Sequence, residues 1–484
     1  MKQQSTVPVE RIDENRWLIP RHGGMKTEGL VFASEAMMKT LRGDPSLVQV
    51  ANVAHLPGIL GRSMAMPDIH WGYGFPIGGV AAFDENDGVI SPGGVGYDIN
   101  CGVRLLRSNL GWKDVEGKMD PLVESLFRNI PTGVGSHRKD FRVPPGEYDD
   151  LLRDGARWAV SKGFGREEDP SRIEEGGRLP GADPGEASDR AKQRGKNQLG
   201  TLGSGNHFVE VQVVDEIFDS AVAKGIGLEQ DSIAVMIHTG SRGFGYQVCD
   251  DSIKRMLKAS RKYGIELPDR QLCCAPLTSP EGKQYLAAMA TAANYAFANR
   301  QIITHWVRES FEKVLGRRSS DIGLDLVYDV CHNIAKFEDH RVNGKMQRVC
   351  VHRKGATRAF PPGHADLPEI YRETGQPVLV PGDMGRYSFV LVGTDGAYGE
   401  TFGSSCHGAG RAMSRTKAGK IARDRPIVRE MREQGIIVRA SGMKTLREEI
   451  PEAYKDVADV VGVVDRAGIG KKVARLRPVG VIKG

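Results

Sequence analysis

Short apolar runs alternate with glycine turns through much of the chain, and the spacing within each run predicts the elements. Residues 66–107 carry several such runs and predict strands joined by hairpins. HFVEVQVV (207–214), SIAVMIH (232–238), LDLVYDV (324–330), VLV (378–380) and YSFVLVG (387–393) predict further strands. Helical spacing appears over 33–41, near 248–263, and from about 411–434 and 444–458. The clearest helix opens at Ser279-Pro280-Glu281, an N-cap, a first-turn proline and an early acid, and runs to Gly316. Residues 136–200 fit neither period. There SHRKDFRVPPGEYDD and GGRLPGADPGEASDRAKQRGKNQLG crowd proline, glycine and charge, which predicts a polar, partly helical surface insertion. The order of elements predicts an α+β fold, a single large glycine-rich β core decorated by helices. It is read as one domain over 1–484 with the insertion at about 136–200.

Composition narrows the class. Hydrophobic residues make up 40% of the 484 and charged residues 26%, and no apolar run approaches the roughly 18 residues that a membrane helix needs. A membrane span is therefore excluded. The N-terminal MKQQSTVPVERIDENRW has no apolar core and no small-residue cleavage site, so a cytoplasmic protein is expected. Seven cysteines in a long chain point the same way, to free thiols in a reducing compartment. Any special cysteine is then a ligand rather than a staple. Net charge is only 67 − 61 = +6, yet residues 411–484 hold 18 Lys/Arg against 9 Asp/Glu. That local excess suits a polyanion such as nucleic acid, and equally a solvated basic helix face.

The chemistry gathers in glycine-rich contexts. In SPGGVGYDINCGVRLLR (91–107), Asp98 and Cys101 stand three residues apart beside a turn. His207 opens a strand in LGSGNHFVEV, while His238 and His332 end strands in IAVMIHTGSRG and LVYDVCHNIAKFE. Strand ends are where side chains from separate parts of a sheet converge, and neutral imidazole is the commonest metal ligand. Any one of these residues alone is more often a buried or hydrogen-bonded structural residue than a ligand. Together, one thiolate, one carboxylate and three imidazoles exceed the four ligands of a closed zinc site, so a two-metal site bridged by Cys101 is expected. Ligand softness alone favours zinc over a harder ion. In GSSCHGAGRAMSR (403–415), His407 lies among small residues, and Gly408-Ala409-Gly410 is expected to lead into a helix whose amides could hold phosphate. PGDMGRYS (381–388) is a second glycine turn, and Lys483 reads as an ordinary solvated lysine. Neither G-x-G-x-x-G nor GxxxxGK[ST] occurs to place a nucleotide by a familiar route.

Seven ordered motifs resemble the RtcB-type RNA-splicing ligases: PDIHWGYGFPIGG (67–79), GGVGYDINCGVR, GSGNHFVE, HTGSRG, CHN, PGDMG and HGAGR, followed by Lys483 near the end. The resemblance implies an RtcB-like fold and an enzyme that joins RNA ends using GTP and two Mn(II) ions. It implies that Asp98 and His207 bind one ion, that His238 and His332 bind the other, and that Cys101 bridges them. His407 would be the nucleophile that takes GMP from GTP. The guanylate would lie against Asn206, His207, Phe208, Val209 and Glu210, against His332 and Asn333, and against the turn Pro381, Gly382, Asp383, Met384. Ser388, the run His407, Gly408, Ala409, Gly410, and Lys483 would complete its site, with Asp68 a further acid.

The implied reaction joins an RNA 2′,3′-cyclic phosphate or 3′-phosphate to a 5′-hydroxyl, in tRNA splicing or RNA repair. Its partners would be tRNA halves or broken RNA ends, GTP, and an archease-like activator of the kind that assists some relatives. Two other readings use the same residues. A dinuclear-metal phosphatase or nuclease would act on RNA ends without GTP, and a non-catalytic RNA-binding protein would not need Cys101. The basic segment after residue 411 and the 136–200 insertion are the expected RNA backbone contacts.

Overall fold

The apolar runs pair into two main sheets, seen in a computed structural model that describes residues 7–144 and 146–484. The first sheet has seven strands in the order Glu10–Arg11, Arg16–Ile19, Gly29–Phe32, Ile59–His70, Ile77–Asp84, Lys345–Lys354, Asn333–Val342. The second has eight. Its main path runs Asp325–Cys331, Gly102–Gly111, Ser232–Thr239, Phe208–Ile217, Lys471–Lys483, Ser388–Val392, Pro377–Val380, and Ile437–Ala440 pairs in parallel with Lys471–Lys483.

Both faces of the second sheet are covered, which is why SIAVMIH reads as continuously apolar rather than alternating. Ile233, Val235 and Ile237 enter the cluster that holds Tyr295, Ile302 and Trp306 of the long helix. Ala234 and Met236 face the opposite cluster with Ala418, Met431 and Leu446. The period of two thus survives as a division between two cores.

The long helix spans Pro280–Leu315 and ends as its sequence signals require. Ser279 Oγ accepts from the Gly282 amide at 3.1 Å, and Gly316 closes the helix in the left-handed region at φ +66°. Its buried polar side chains hold the loops beyond. Asn299 donates to the carbonyls of Thr201 and Gly240, and Asn294 to those of Leu152 and Leu179.

Several expectations are corrected. The helix expected over 411–434 is two seven-residue helices, Arg415–Ile421 and Ile427–Glu433, interrupted at Pro426. Ser414 caps the first of them, so Gly408-Ala409-Gly410 lies in a loop and supplies no helix N-terminus. The 444–458 segment divides into Met443–Glu448 and Val457–Arg466 around Pro451. The helix near 248–263 begins earlier, at Arg242. Residues 136–200 are partly helical as expected, but they are not confined to the surface: Leu151, Leu152, Trp158 and Ile173 join the core around the long helix. No helix among the described residues is long and apolar enough to cross a membrane, and all seven cysteines are free and buried.

Candidate active site and metal centre

Strand register brings the ligand-type residues to one end of the second sheet. Gly102 lies opposite both Cys331 and Thr239, and Phe208 lies opposite His238 and Lys483. Cys101, His332 and His207 are each one residue beyond these paired positions, so four segments far apart in sequence meet at a single rim. His332 also marks the crossing between sheets, because the strand ending at Cys331 belongs to the second and the strand starting at Asn333 to the first.

Two groups of potential ligand atoms share one thiol. Asp98, Cys101 and His207 form the first and Cys101, His238 and His332 the second, with the atoms of each group within 4.8 Å of one another. Cys101 Sγ is 3.5 Å from His207 Nε2 and 3.4 Å from His238 Nε2, and His207 Nε2 is 3.0 Å from Asp98 Oδ2. The carbonyl of Leu202 lies 3.0 Å from His207 Nδ1, which keeps a proton on that nitrogen and points Nε2 at Asp98 and Cys101. Asp98 Oδ1 accepts from the Ser241 amide at 2.9 Å. Gly240 permits this approach, since a Cβ there would meet the Asp98 carboxylate at 2.5 Å.

The electrostatics suit a cation. Burial pushes His238 and His332 well below the usual imidazole range, leaving neutral rings with lone pairs to offer. Burial raises Asp98, but hydrogen bonding and charge from His207 outweigh it and hold the carboxyl at about 2. Burial and Asp98 push the Cys101 thiol up, a penalty that a bound cation reverses. His238 Nδ1 and His332 Nδ1 are buried without a hydrogen-bond partner among the described residues.

His407 follows the short strand Ser404–Cys406, its ring centroid 4.9 Å from that of His332. Its Nδ1 lies 2.5 Å from Asp68 Oδ2, which also accepts from the His407 amide at 2.9 Å. Burial raises Asp68, but His407 more than offsets this and keeps the carboxylate charged. With Nδ1 committed to Asp68, Nε2 is the nitrogen left free to react.

A cavity of about 780 Å³ joins these parts. Asp98, Cys101, His238, His332 and His407 line it, and so do Asn206, Phe208, Asn333, Pro381 to Met384, Gly408 to Gly410 and Lys483. Other expected residues stand behind the wall. Val209 is in the core, and Ser388 Oγ accepts from the Gly382 amide at 3.2 Å, fixing the PGDM turn. Glu210 is buried, and burial pushes it up to about 8 against the pull of Lys483. Lys483 itself is buried and donates to the Gly205 carbonyl at 3.1 Å, which overturns its reading as a solvated lysine.

Sequence reasoning missed the scaffold beneath the site. Arg104 and Arg300 both pair with Asp329, at 2.7 and 2.8 Å, and all three side chains are fully buried. Arg300 also donates to the carbonyls of Asn100 and Thr239, tying together two ligand-bearing segments. The signal was present in LDLVYDV, where an acid inside an apolar strand requires a buried partner. Glu449 was missed too. It is fully buried, borders the cavity, and accepts from Arg411 and Arg415 at 3.1 Å each.

The sequence is similar to known proteins along its length. Residues 49–484 match the family model described as tRNA-splicing ligase RtcB. The tRNA-splicing ligase RtcB of Thermococcus kodakarensis is 55% identical over 99% of this chain and 99% of its own length. That of Archaeoglobus fulgidus is 55% identical over 98% and 99%. The Pyrococcus furiosus protein is 58% identical over 80% of this chain and 40% of its own, longer sequence. The family-model match covers the whole second sheet and the ligand-type residues at the cavity, and the chain belongs to the RtcB family.

Proposed function

We propose that this chain, as a tRNA-splicing ligase, joins RNA ends by way of GMP carried on His407. The supporting observation is the Asp68–His407 pair: a charged, buried carboxylate on Nδ1 leaves Nε2 as a nucleophile at the cavity and offsets the positive charge the ring gains on attack. Nε2 attacks the α-phosphorus of GTP, an N–P bond forms, and the bond to pyrophosphate breaks. An oxygen of an RNA 3′-phosphate then takes GMP from His407, which converts a poor electrophile into one with a leaving group. A 5′-hydroxyl attacks that activated phosphorus, GMP leaves, and the hydroxyl proton passes to solvent. A 2′,3′-cyclic end is first opened by water.

The donor set fits two metal ions, because two groups of ligand-type atoms that share the Cys101 thiol each lie within 4.8 Å of one another, and His238 Nδ1 and His332 Nδ1 are buried without a hydrogen-bond partner among the described residues. Asp98 and His207 would hold one and His238 and His332 the other, with Cys101 shared; the family resemblance favours Mn(II). Bound there, the ions supply charge to polarise phosphoryl oxygens. Asn206, Phe208, Asn333, the Pro381 to Met384 turn, Gly408 to Gly410 and Lys483 are suited by position to hold the guanylate, and Glu210 and Ser388 to orient it from behind. An archease-like activator and a cytoplasmic setting belong to the same reading.

The test is incubation with α-labelled GTP and Mn(II), followed by denaturing electrophoresis and acid treatment. Acid-labile label on the wild type and none on His407→Ala is the expected result. Folded, metal-loaded protein that takes no label overturns this reading in favour of a dinuclear-metal hydrolase acting on RNA ends without GTP.

A further inference from the structure

At one side of the cavity mouth the chain exposes aromatic surface that the chemistry above does not use. Trp71 and Tyr73 of HWGYG line the cavity with Tyr97, the neighbour of Asp98. Trp71 is 60% exposed and Tyr246 is 46% exposed. The rings of Tyr73 and Tyr97 meet edge to face at 5.6 Å, and those of Tyr97 and Tyr246 stack at 4.8 Å with 26° between their planes. The Arg194 guanidinium lies over Tyr246, 4.9 Å from its centroid. A row of rings thus runs from the ligand group outward and ends under a cation.

A contiguous exposed patch of aromatic rings rimmed by charge marks an interaction surface. A partner that matches flat aromatic faces beside a cation is unpaired nucleic acid. We propose that Trp71, Tyr97 and Tyr246 form a stacking strip for the unpaired bases of an RNA strand whose end enters the cavity, with Arg194 facing the backbone. The proposal rests on the ligase reading. It gives the enzyme a preference for single-stranded ends without sequence preference, because every base has a stacking face.

The experiment measures binding of short fluorescent RNAs, one ending in a 3′-phosphate and one in a 5′-hydroxyl, to the full-length protein. Trp71→Ala and Tyr246→Ala should each weaken one of the two RNAs by roughly 5- to 160-fold, the range for loss of one base–aromatic stack. Trp71→Phe and Tyr246→Phe should keep most of the affinity, which a role in folding alone does not explain. Which RNA is weakened identifies the end that the strip holds. An abasic nucleotide at the stacked position should cost the wild type the same factor and cost the alanine variant nothing further. Undiminished binding by the alanine variants, or an abasic penalty that persists in them, overturns the strip. Absence of RNA binding by the wild type overturns the ligase reading beneath it, a different result.

Discussion

Asp68 Oδ2 lies 2.5 Å from His407 Nδ1, although the two residues are 339 apart in sequence and rise from different strands. The carboxylate comes from Ile59–His70 in the first sheet, and the histidine follows Ser404–Cys406. Gly410 makes room for the approach, because a Cβ there would meet the Asp68 carbonyl at 2.2 Å. The pair sets the tautomer, which gives it a kinetic signature. Asp68→Ala should slow labelling of His407 by GTP roughly 10²- to 10⁴-fold. Metal content should stay unchanged, and single-turnover labelling beside elemental analysis checks both.

Because both ligand groups contain Cys101, its loss should not behave like loss of a single histidine. Cys101→Ala is expected to lower affinity at both positions, by about tenfold or more at each. His207→Ala should affect mainly one, and His238→Ala mainly the other. Calorimetric titration of chelator-stripped protein with Mn(II) and Zn(II) separates the cases. Two unaltered sites in Cys101→Ala would exclude a shared ligand.

The segment expected as a surface insertion carries a buried acid that ties it to the scaffold. Asp169 accepts from Arg308 at 2.7 and 2.8 Å and from Gln301 at 2.8 Å. Burial raises this carboxyl, but Arg308 more than compensates and holds it at about 2, below its ordinary 3.8. The folded state therefore binds the proton less readily than the unfolded chain. The stabilisation is complete above pH 3.8 and is lost as pH falls toward 2. Asp169→Asn should cost about 3–5 kcal/mol at neutral pH. The gap from wild type should narrow in acid, as followed by denaturant midpoints from pH 7 downward.

The basic region after residue 411 is less free than its charge count suggests. Arg425 is held by Glu430 and Glu452, and Arg429 by Glu433, whereas Arg423 has no ion-pair partner among the described residues. If this face contacts RNA, Arg423→Glu should weaken binding more than Arg425→Glu and reduce the slope of log K against log salt by about 1. Equal affinity and equal slope for wild type and Arg423→Glu would remove the patch from the RNA path.

The candidate ligand residues were legible in the sequence because Asp98, Cys101, His207 and His238 stand where an apolar run meets a glycine turn and His332 stands at a strand end, and paired strands bring such ends together. The long helix was legible from Ser279, Pro280 and Gly316, whose caps act locally. The role of Lys483 was not. Its burial depends on pairing between Lys471–Lys483 and Phe208–Ile217, a contact more than 250 residues long that leaves no local mark. Charge and proline in residues 136–200 hid a buried face for a related reason: Asp169 is polar in sequence but paired in the fold. The breaks at Pro426 and Pro451 were readable, since a proline inside a helical pattern removes an amide and clashes with the preceding turn.

Lys471–Lys483 lies in the middle of its sheet, between Phe208–Ile217 on one side and Ser388–Val392 and Ile437–Ala440 on the other. All three neighbours leave the ribosome before it. Until it arrives, the nascent chain holds two half-sheets with open edges, and such edges recruit other strands when they persist. Arrival of this strand closes the sheet from within, as a zipper does. The same segment that seals those edges delivers Lys483 to the cavity, so a chain stopped before residue 471 is both aggregation-prone and without this part of its site.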